Sequence, residues 1–512
     1  HRRRHEPMRE YTVTLVPSGR SRPFPEGTIL SDALVDMGVP LRTPCGGRGL
    51  CRRCRVRLGD DASTEVLACR SVVDRDVRVM VAGASTWEVS PFPGLTRGRR
   101  LGAAVDLGTT TVKVALVDVD RGRFHTVASF LNPQRRFGHD VVSRIAAAAV
   151  LRARDRMTGL IRSALRVCLE KALLASRIDG TTIETVVLSG NTTMLSLFFG
   201  LDVSPLGRYP YAAATRDFPG VAPGEVGLDG IVGGEVKGLP VFSAFLGADL
   251  VGALTLFGRT SLEGWTLFAD LGTNGELFLA APSGEVFAAS CAMGPALEGM
   301  NISCGMSADD GAITRIRSTP AGLAFDMMGT GEPAGITGTA LVDLIAVLLD
   351  ARVIRPDGRL DLDGGRGGLP EGLTAAPEGD MKAVGLWGGL RLTQMDIRNV
   401  QLAKAAMHAA SRLLMDAAGV APADVRRVVL AGALGEKMDL EGFMRLGFLP
   451  PFGGATFEVA GNTSLEAALT ACIDPGFAAQ AAQARQRVRE VVLSEQEAFQ
   501  DVFISSLDFP GG

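Results

Sequence analysis

A strand, a tight Asp-Leu-Gly-Thr turn and a second strand occur twice, as "AAVDLGTTTVKVALVD" (Ala103 to Asp118) and "LFADLGTNGELFLA" (Leu267 to Ala280). At such a hairpin tip, Gly108 or Gly272 opens backbone N–H groups to an anion. The neighbouring hydroxyls and amide, Thr109, Thr110, Thr273 and Asn274, add further donors, and Asp106 or Asp270 can hold a hydrated Mg²⁺. One tip of this kind is commonplace. Two in matching context call for a duplicated α/β unit whose tips face a single cleft. The chain has 512 residues, more than one core organises, and about three or four compact units are expected.

Other strand-to-helix junctions fit the same cleft. "TVVLSGNTTML" places Asn191 at a helix start, and "VAGNTSLEAAL" does the same with Asn462, each able to cap the helix or contact a ligand. "VRRVVLAGALGE" ends a strand at Gly432 and Ala433, where a backbone without bulk lets an adenosine approach. A net charge of −3 gives no basic footprint for nucleic acid. No apolar run reaches the ~18 residues of a membrane span, since "AFLGADLVGALTLFG" is broken by Asp249. The opening "HRRRHEP" lacks the apolar stretch of a secretory signal and is expected to be a leader outside the fold, and the expected compartment is the cytoplasm.

Eight cysteines in a reducing compartment argue for metal or redox chemistry over disulfides. Cys45, Cys51 and Cys54 crowd one glycine-rich loop, "TPCGGRGLCRRCRVRL", and Cys69 follows on a separate segment, "VLACRS". Four thiolates could hold zinc tetrahedrally, but zinc ribbons usually pair two short knuckles. A loop that wraps closely and donates N–H groups to sulfur suits a [2Fe–2S] rhomb better. The arginines Arg48, Arg52, Arg53, Arg55 and Arg57 are either a solvated strand face or a patch that docks an acidic redox partner. Cys168 shares an apolar stripe with Ile161 and Leu165 and is expected to be buried, as are Cys291 and Cys304. Lys404 is expected to be a solvated helix residue. "STWEVSPFPGLTRGRR" (Ser85 to Arg100), rich in Pro and Gly and without period, reads as a linker.

The cysteine loop, set in a strand-helix-loop-strand order, resembles the β-grasp ferredoxins that carry a [2Fe–2S] cluster on "PCGGxGxCxxCxV…LAC". The ordered hairpins and junctions resemble the phosphate-1, connect, phosphate-2, adenosine and connect motifs of the actin/sugar-kinase/Hsp70 ATPase superfamily. Together with "SGNTTM", "SAFLGAD", "CAMGPALEGMNISCGM" and "IRNVQLAKAA", they make the whole chain resemble the reductive activators of corrinoid-dependent enzymes. The implied fold is multidomain α/β, a β-grasp ferredoxin joined by a linker to a two-lobed actin-like (ribonuclease-H-like) ATPase. Its expected boundaries are a leader 1–9, ferredoxin 10–84, linker 85–100, lobes 101–240 and 241–475, and a C-terminal strand and helix 476–512.

That resemblance implies one-electron transfer from the cluster to a Co(II) corrinoid protein of a methyltransferase system. It also implies ATP and Mg²⁺ as cofactors, a separate reductant and a homodimer. Asp106 and Asp270 would sit near Mg²⁺, with Thr109, Thr110, Thr273 and Asn274 at the phosphates and Gly432 with Ala433 at the adenosine. Asp249 and Glu276 are the candidates for positioning the attacking water. Rival readings are an activator ATPase of a 2-hydroxyacyl-CoA dehydratase or arene reductase, which would carry a [4Fe–4S] cluster bridging two chains, and a nucleotide-binding redox sensor without catalysis.

Overall fold

A computed structural model describes residues 9–511 apart from 40, 44, 46, 60–62, 82–88, 179, 181, 258–263, 321, 363–367, 377–380 and 433–437. Of the site residues named above, Ala433 lies outside the described residues. So do 1–8 of the expected leader and 85–88 of the expected linker.

Near the N-terminus a five-stranded sheet runs in the spatial order Ser21–Pro25, Glu10–Val16, Val77–Val81, Arg55–Leu58, Thr64–Leu67. Glu10–Val16 and Val77–Val81 are parallel, and the other pairs are antiparallel. The helix Leu30–Asp36 closes one face over Val13, Leu15, Val56 and Val79. In Arg55–Leu58 the alternation puts Val56 into this core and leaves Arg55 and Arg57 in solvent. The mixed sheet and crossing helix have the β-grasp arrangement expected from the cysteine loop.

The duplication is visible strand by strand. Leu101–Leu107, Thr111–Asp118 and Arg123–Leu131 form an antiparallel meander, to which Ile183–Ser189 and Val232–Gly238 add in parallel. Trp265–Leu271, Asn274–Ala280 and Val286–Ala292 repeat the meander, and Val425–Ala431 and Thr456–Gly461 repeat the parallel additions. The central strands are covered on both faces, which is why "LGAAVDL" and "WTLFADL" read as nearly continuous apolar runs. Two helices lie between the sheets and pack on each other, Ala248–Phe257 over the second sheet and Thr463–Ile473 over the first. Leu465, Leu469 and Cys472 of the latter join Ala103 and Val187 in the first core. The C-terminal part of the chain therefore completes the first lobe as well as the second.

Two expectations are corrected. The segment read as a linker is held, over its described part, against the first lobe. Phe92 is buried in that lobe's core, its N–H donates to Ser176 Oγ at 2.9 Å, and Ser90 N–H donates to Val127 O at 2.8 Å. A single aromatic in a Pro- and Gly-rich stretch supplies an anchor that composition averages away. Lys404 is buried rather than solvated. Its ammonium donates to the carbonyls of Ser506 and Asp508, lies 5.8 Å from the Phe509 ring and is pushed down to about 8 by desolvation. Its helix, Gln394–Ala418, is covered on that face by the C-terminal helix Phe499–Ser505.

Lys404→Met should remove two charge-assisted bonds and leave two buried carbonyls unpaired, costing about 2–4 kcal/mol. Thermal unfolding with limited proteolysis checks this. The expected result is a lower Tm with early loss of the C-terminal helix, and an unchanged Tm contradicts the assignment.

Candidate functional site

The two hairpin tips meet. Thr110 Oγ1 and Thr273 Oγ1, one from each tip, hydrogen-bond to each other at 2.7 Å although 163 positions apart in sequence. Gly108 is required at the first tip because a Cβ there would lie 2.3 Å from Thr111 O. Gly432 is required opposite, since its φ is +102° and a Cβ would lie 2.7 Å from Asp270 Oδ1. Both junction asparagines are N-caps that also reach the hairpins. Asn191 accepts from Met194 N–H and donates to Thr109 Oγ1 at 2.8 Å, and Asn462 accepts from Leu465 N–H and donates to Asp106 Oδ2 at 2.7 Å.

A cavity of about 100 Å³ between the lobes is lined by every described residue assigned to nucleotide binding or water activation. Asp106, Gly108, Thr109, Thr110 and Asn191 line its first-lobe side. Asp270, Gly272, Thr273, Asn274, Glu276 and Gly432 line the other, with Asp249 and Asn462 contributed by the two central helices. This space is below the ~300–1,000 Å³ of typical ligand clefts. The hairpins are not electrostatic copies. In equivalent pairing registers, Asp106 faces Lys113 and Asp270 faces Glu276.

Ser464, which follows Asn462 at the same helix start, lines the cavity too, and reading the sequence missed Glu298 and Lys113, which also line it. Glu298 completes a set of five carboxylates, Glu276 buried and the others half-buried, and accepts a hydrogen bond from the Thr273 hydroxyl. Desolvation raises all five, and neighbouring carboxylates raise every one but Asp106 further. Asp249 is pushed up to about 6 and Asp270 to about 8. The signal for Glu298 was present as a lone acid between glycines in "GPALEG", but only the folded chain brings it to the hairpin tips.

The four cluster-loop cysteines are buried and fall into two pairs. Cys51 Sγ lies 3.3 Å from Cys45 Sγ, and Cys54 bonds Cys69. Hydrogen bonding within the pairs lowers Cys45 to about 5 and Cys54 to about 7 and raises their partners. Two thiol pairs, each suited to one iron, fit the donor set of a [2Fe–2S] rhomb.

One side of the loop packs on the ATPase. Cys45 and Cys51 pack on Met306 and Ala312 of the ATPase, Arg42 pairs with Asp309, and Arg53 donates to Asp310 O at 3.1 Å. Behind the loop, Asp36 is buried between Arg136 and Arg156 of the first lobe at 2.8 and 2.7 Å. Of the arginines read as a partner-docking patch, Arg48 and Arg53 instead bind this chain's own ATPase and Arg55 pairs with Glu65, while Arg52 and Arg57 are exposed. Cys168, Cys291 and Cys304 are buried, as expected.

Comparison with known proteins matches residues 13–74 to a 2Fe-2S iron-sulfur cluster binding domain, 101–259 to the RACo middle region, and 264–512 to the C-terminal domain of RACo, the ASKHA domain. The chain carries the domains of the RACo family. The corrinoid activation enzyme RamQ of Eubacterium limosum is 27% identical over 534 residues, covering 85% of this chain and 88% of its own. A [Co(II) methylated amine-specific corrinoid protein] reductase of Methanosarcina barkeri is 24% identical over 445 residues, covering 80% and 77%. A solved structure titled reductive activator for corrinoid, iron-sulfur protein covers 98% of both chains with a TM-score of 0.74 at 24% identity, a likeness of fold. The RACo architecture thus spans both sheets and the cysteine loop. No described helix is long and apolar enough to cross a membrane.

The raised carboxylates of this RACo-type cleft give stability a definite pH dependence. Above about pH 4 the unfolded chain has released protons that Asp249 and Asp270 still hold in the fold, so stability should fall as pH rises from about 4 to about 8. Asp270→Asn removes the larger contribution and should be more stable than the parent at about pH 8 by roughly 1–3 kcal/mol, converging with it at about pH 4. Thermal melts across that range check it. Parallel curves for the two proteins contradict it.

Proposed function

We propose that the chain is an ATP-dependent reductive activator. It passes one electron from a [2Fe–2S] cluster on Cys45, Cys51, Cys54 and Cys69 to a Co(II) corrinoid protein of a methyltransferase system, restoring Co(I). The observation that carries this reading is the joint one. Of two buried thiol pairs, Cys45 with Cys51 packs on an ATPase whose two phosphate hairpins meet, and Cys54 with Cys69 lies in the core behind it.

The cluster supplies a one-electron carrier. Plant-type [2Fe–2S] centres lie near about −400 mV, and transfer to a more negative acceptor costs 1.4 kcal/mol for about every 59 mV. Energy released at the nucleotide cleft offsets such a step only if cleft closure changes how acceptor or cluster is held. The residues suited to that work are distributed around the cavity. Thr109, Thr110, Thr273 and Asn274 donate to phosphate oxygens, and Asn191 and Asn462 hold the first hairpin in register. Asp106 and Asp270 carry hydrated Mg²⁺, whose charge would return the raised carboxylates to their ionised form. Asp249 and Glu276, beside them, position the attacking water. A separate reductant reloads the cluster, and the working form is a cytoplasmic homodimer.

The test mixes the reduced protein, a Co(II) corrinoid protein and Mg-ATP under anaerobic conditions and follows Co(I) absorbance. Co(I) should form with ATP and not without it, with two irons per chain. Cys69→Ala should lose the iron and the activity together. Equal rates with and without ATP, or a four-iron cluster bridging two chains, contradict the proposal.

A further inference from the structure

One short segment touches both the nucleotide cleft and the cluster loop. The turn Pro295–Glu298 ends at Gly299, which is left-handed at φ +74° and bonds back to Ala296 O at 3.0 Å. On the cleft side, the Glu298 carboxylate accepts from the hydroxyl of Thr273, which in turn accepts from that of Thr110 at 2.7 Å, so one hydroxyl from each phosphate hairpin is tied to it in series. On the other side, Arg48 Nη2 donates to Gly299 O at 3.2 Å, and the same guanidinium donates through Nε to Cys45 O at 2.8 Å. The contact is tight as well as polar. A Cβ on Gly299 would lie 2.6 Å from Met306 O, and Met306 packs on Cys45 and Cys51. Beyond it the segment is pinned to the helix Gln394–Ala418, by Asn399 to Asn301 O at 2.8 Å and by Ser303 N–H to Asp396 at 2.7 Å.

Glu298 therefore holds the hydroxyls that a nucleotide's terminal phosphate would need, and two anions cannot share the same donors. We propose that Glu298 is a positioning residue that relays nucleotide occupancy to the cluster loop. Phosphate takes Thr110 and Thr273 from the carboxylate, the turn swings about its pinned end, and the Arg48 bond to Gly299 breaks, releasing the Cys45–Cys51 side of the loop from the ATPase. No covalent or redox step is involved. The proposal rests on the reading of the cleft as a nucleotide site and of the loop as a cluster site.

The experiment uses the cluster-loaded full chain and measures how fast an iron chelator bleaches the visible absorbance, with and without saturating Mg-adenylyl imidodiphosphate. Nucleotide occupancy is measured separately by equilibrium dialysis. The parent should bleach about tenfold faster with nucleotide. Glu298→Gln, a neutral isostere, should bind nucleotide at least as tightly as the parent yet bleach slowly in both conditions. Arg48→Ala should bleach fast in both. These opposite directions separate a relay from simple damage to the fold. A Gln variant that answers nucleotide like the parent, or that no longer binds it, overturns the relay, as does a parent that binds nucleotide without changing its bleaching rate. Absence of a [2Fe–2S] signal or of nucleotide binding in the parent would instead defeat the underlying reading.

Discussion

The hydrogen bond between Thr110 and Thr273 joins two hairpin tips contributed by two separate sheets. Everything in the cleft depends on that convergence. It brings Asp106 and Asp270 to one cavity, lets the central helices deliver Asp249 and Asn462 to the same point, and gathers five carboxylates around it. Such an arrangement is costly when empty of cations, because desolvation and mutual repulsion both oppose ionisation. The fold sustains it because the surrounding strands are buried on both faces and because the second central helix is packed into the first lobe's core. Stability is thus held in the sheets and surrendered at the tips, where a phosphate and a divalent ion have most to gain.

The docking of the cysteine-bearing domain has a different physical character. Its contacts with the ATPase are largely polar. Arg136 and Arg156 hold Asp36, Arg42 pairs with Asp309, and Arg48 and Arg53 reach carbonyls, while the apolar contribution is the small patch of Met306 and Ala312 under Cys45 and Cys51. Interfaces of this kind between domains of one chain allow relative motion, since few apolar groups must be re-exposed. A docked loop also hides the thiols that must come near an electron acceptor. In the proposed relay, arginines of this interface are the groups that let go.

Legibility in the sequence followed the range of the interaction. The hairpins, the capping asparagines Asn191 and Asn462 and the four cysteines were readable because each is a local pattern with a local reason, and the duplication of Asp-Leu-Gly-Thr gave the overall architecture. Glu298, Arg48, Phe92 and Lys404 were misread or missed because their roles come from distant partners. Arg48 meets Gly299, Phe92 meets Ser176, and Lys404 meets the carbonyls of Ser506 and Asp508. The contrast between Lys113 and Glu276 at equivalent hairpin positions is visible in the residues, but it acquires meaning only once the strand registers are known.

The central claim is that nucleotide hydrolysis and electron delivery are one coupled event rather than two activities sharing a chain. Simultaneous stopped-flow recording of phosphate release and Co(I) formation, after mixing the reduced holoprotein and Co(II) corrinoid protein with Mg-ATP, tests it most directly. The account predicts that both signals rise with the same rate constant and that each is lost when the other is blocked. Co(I) appearing at full rate without phosphate release would contradict it.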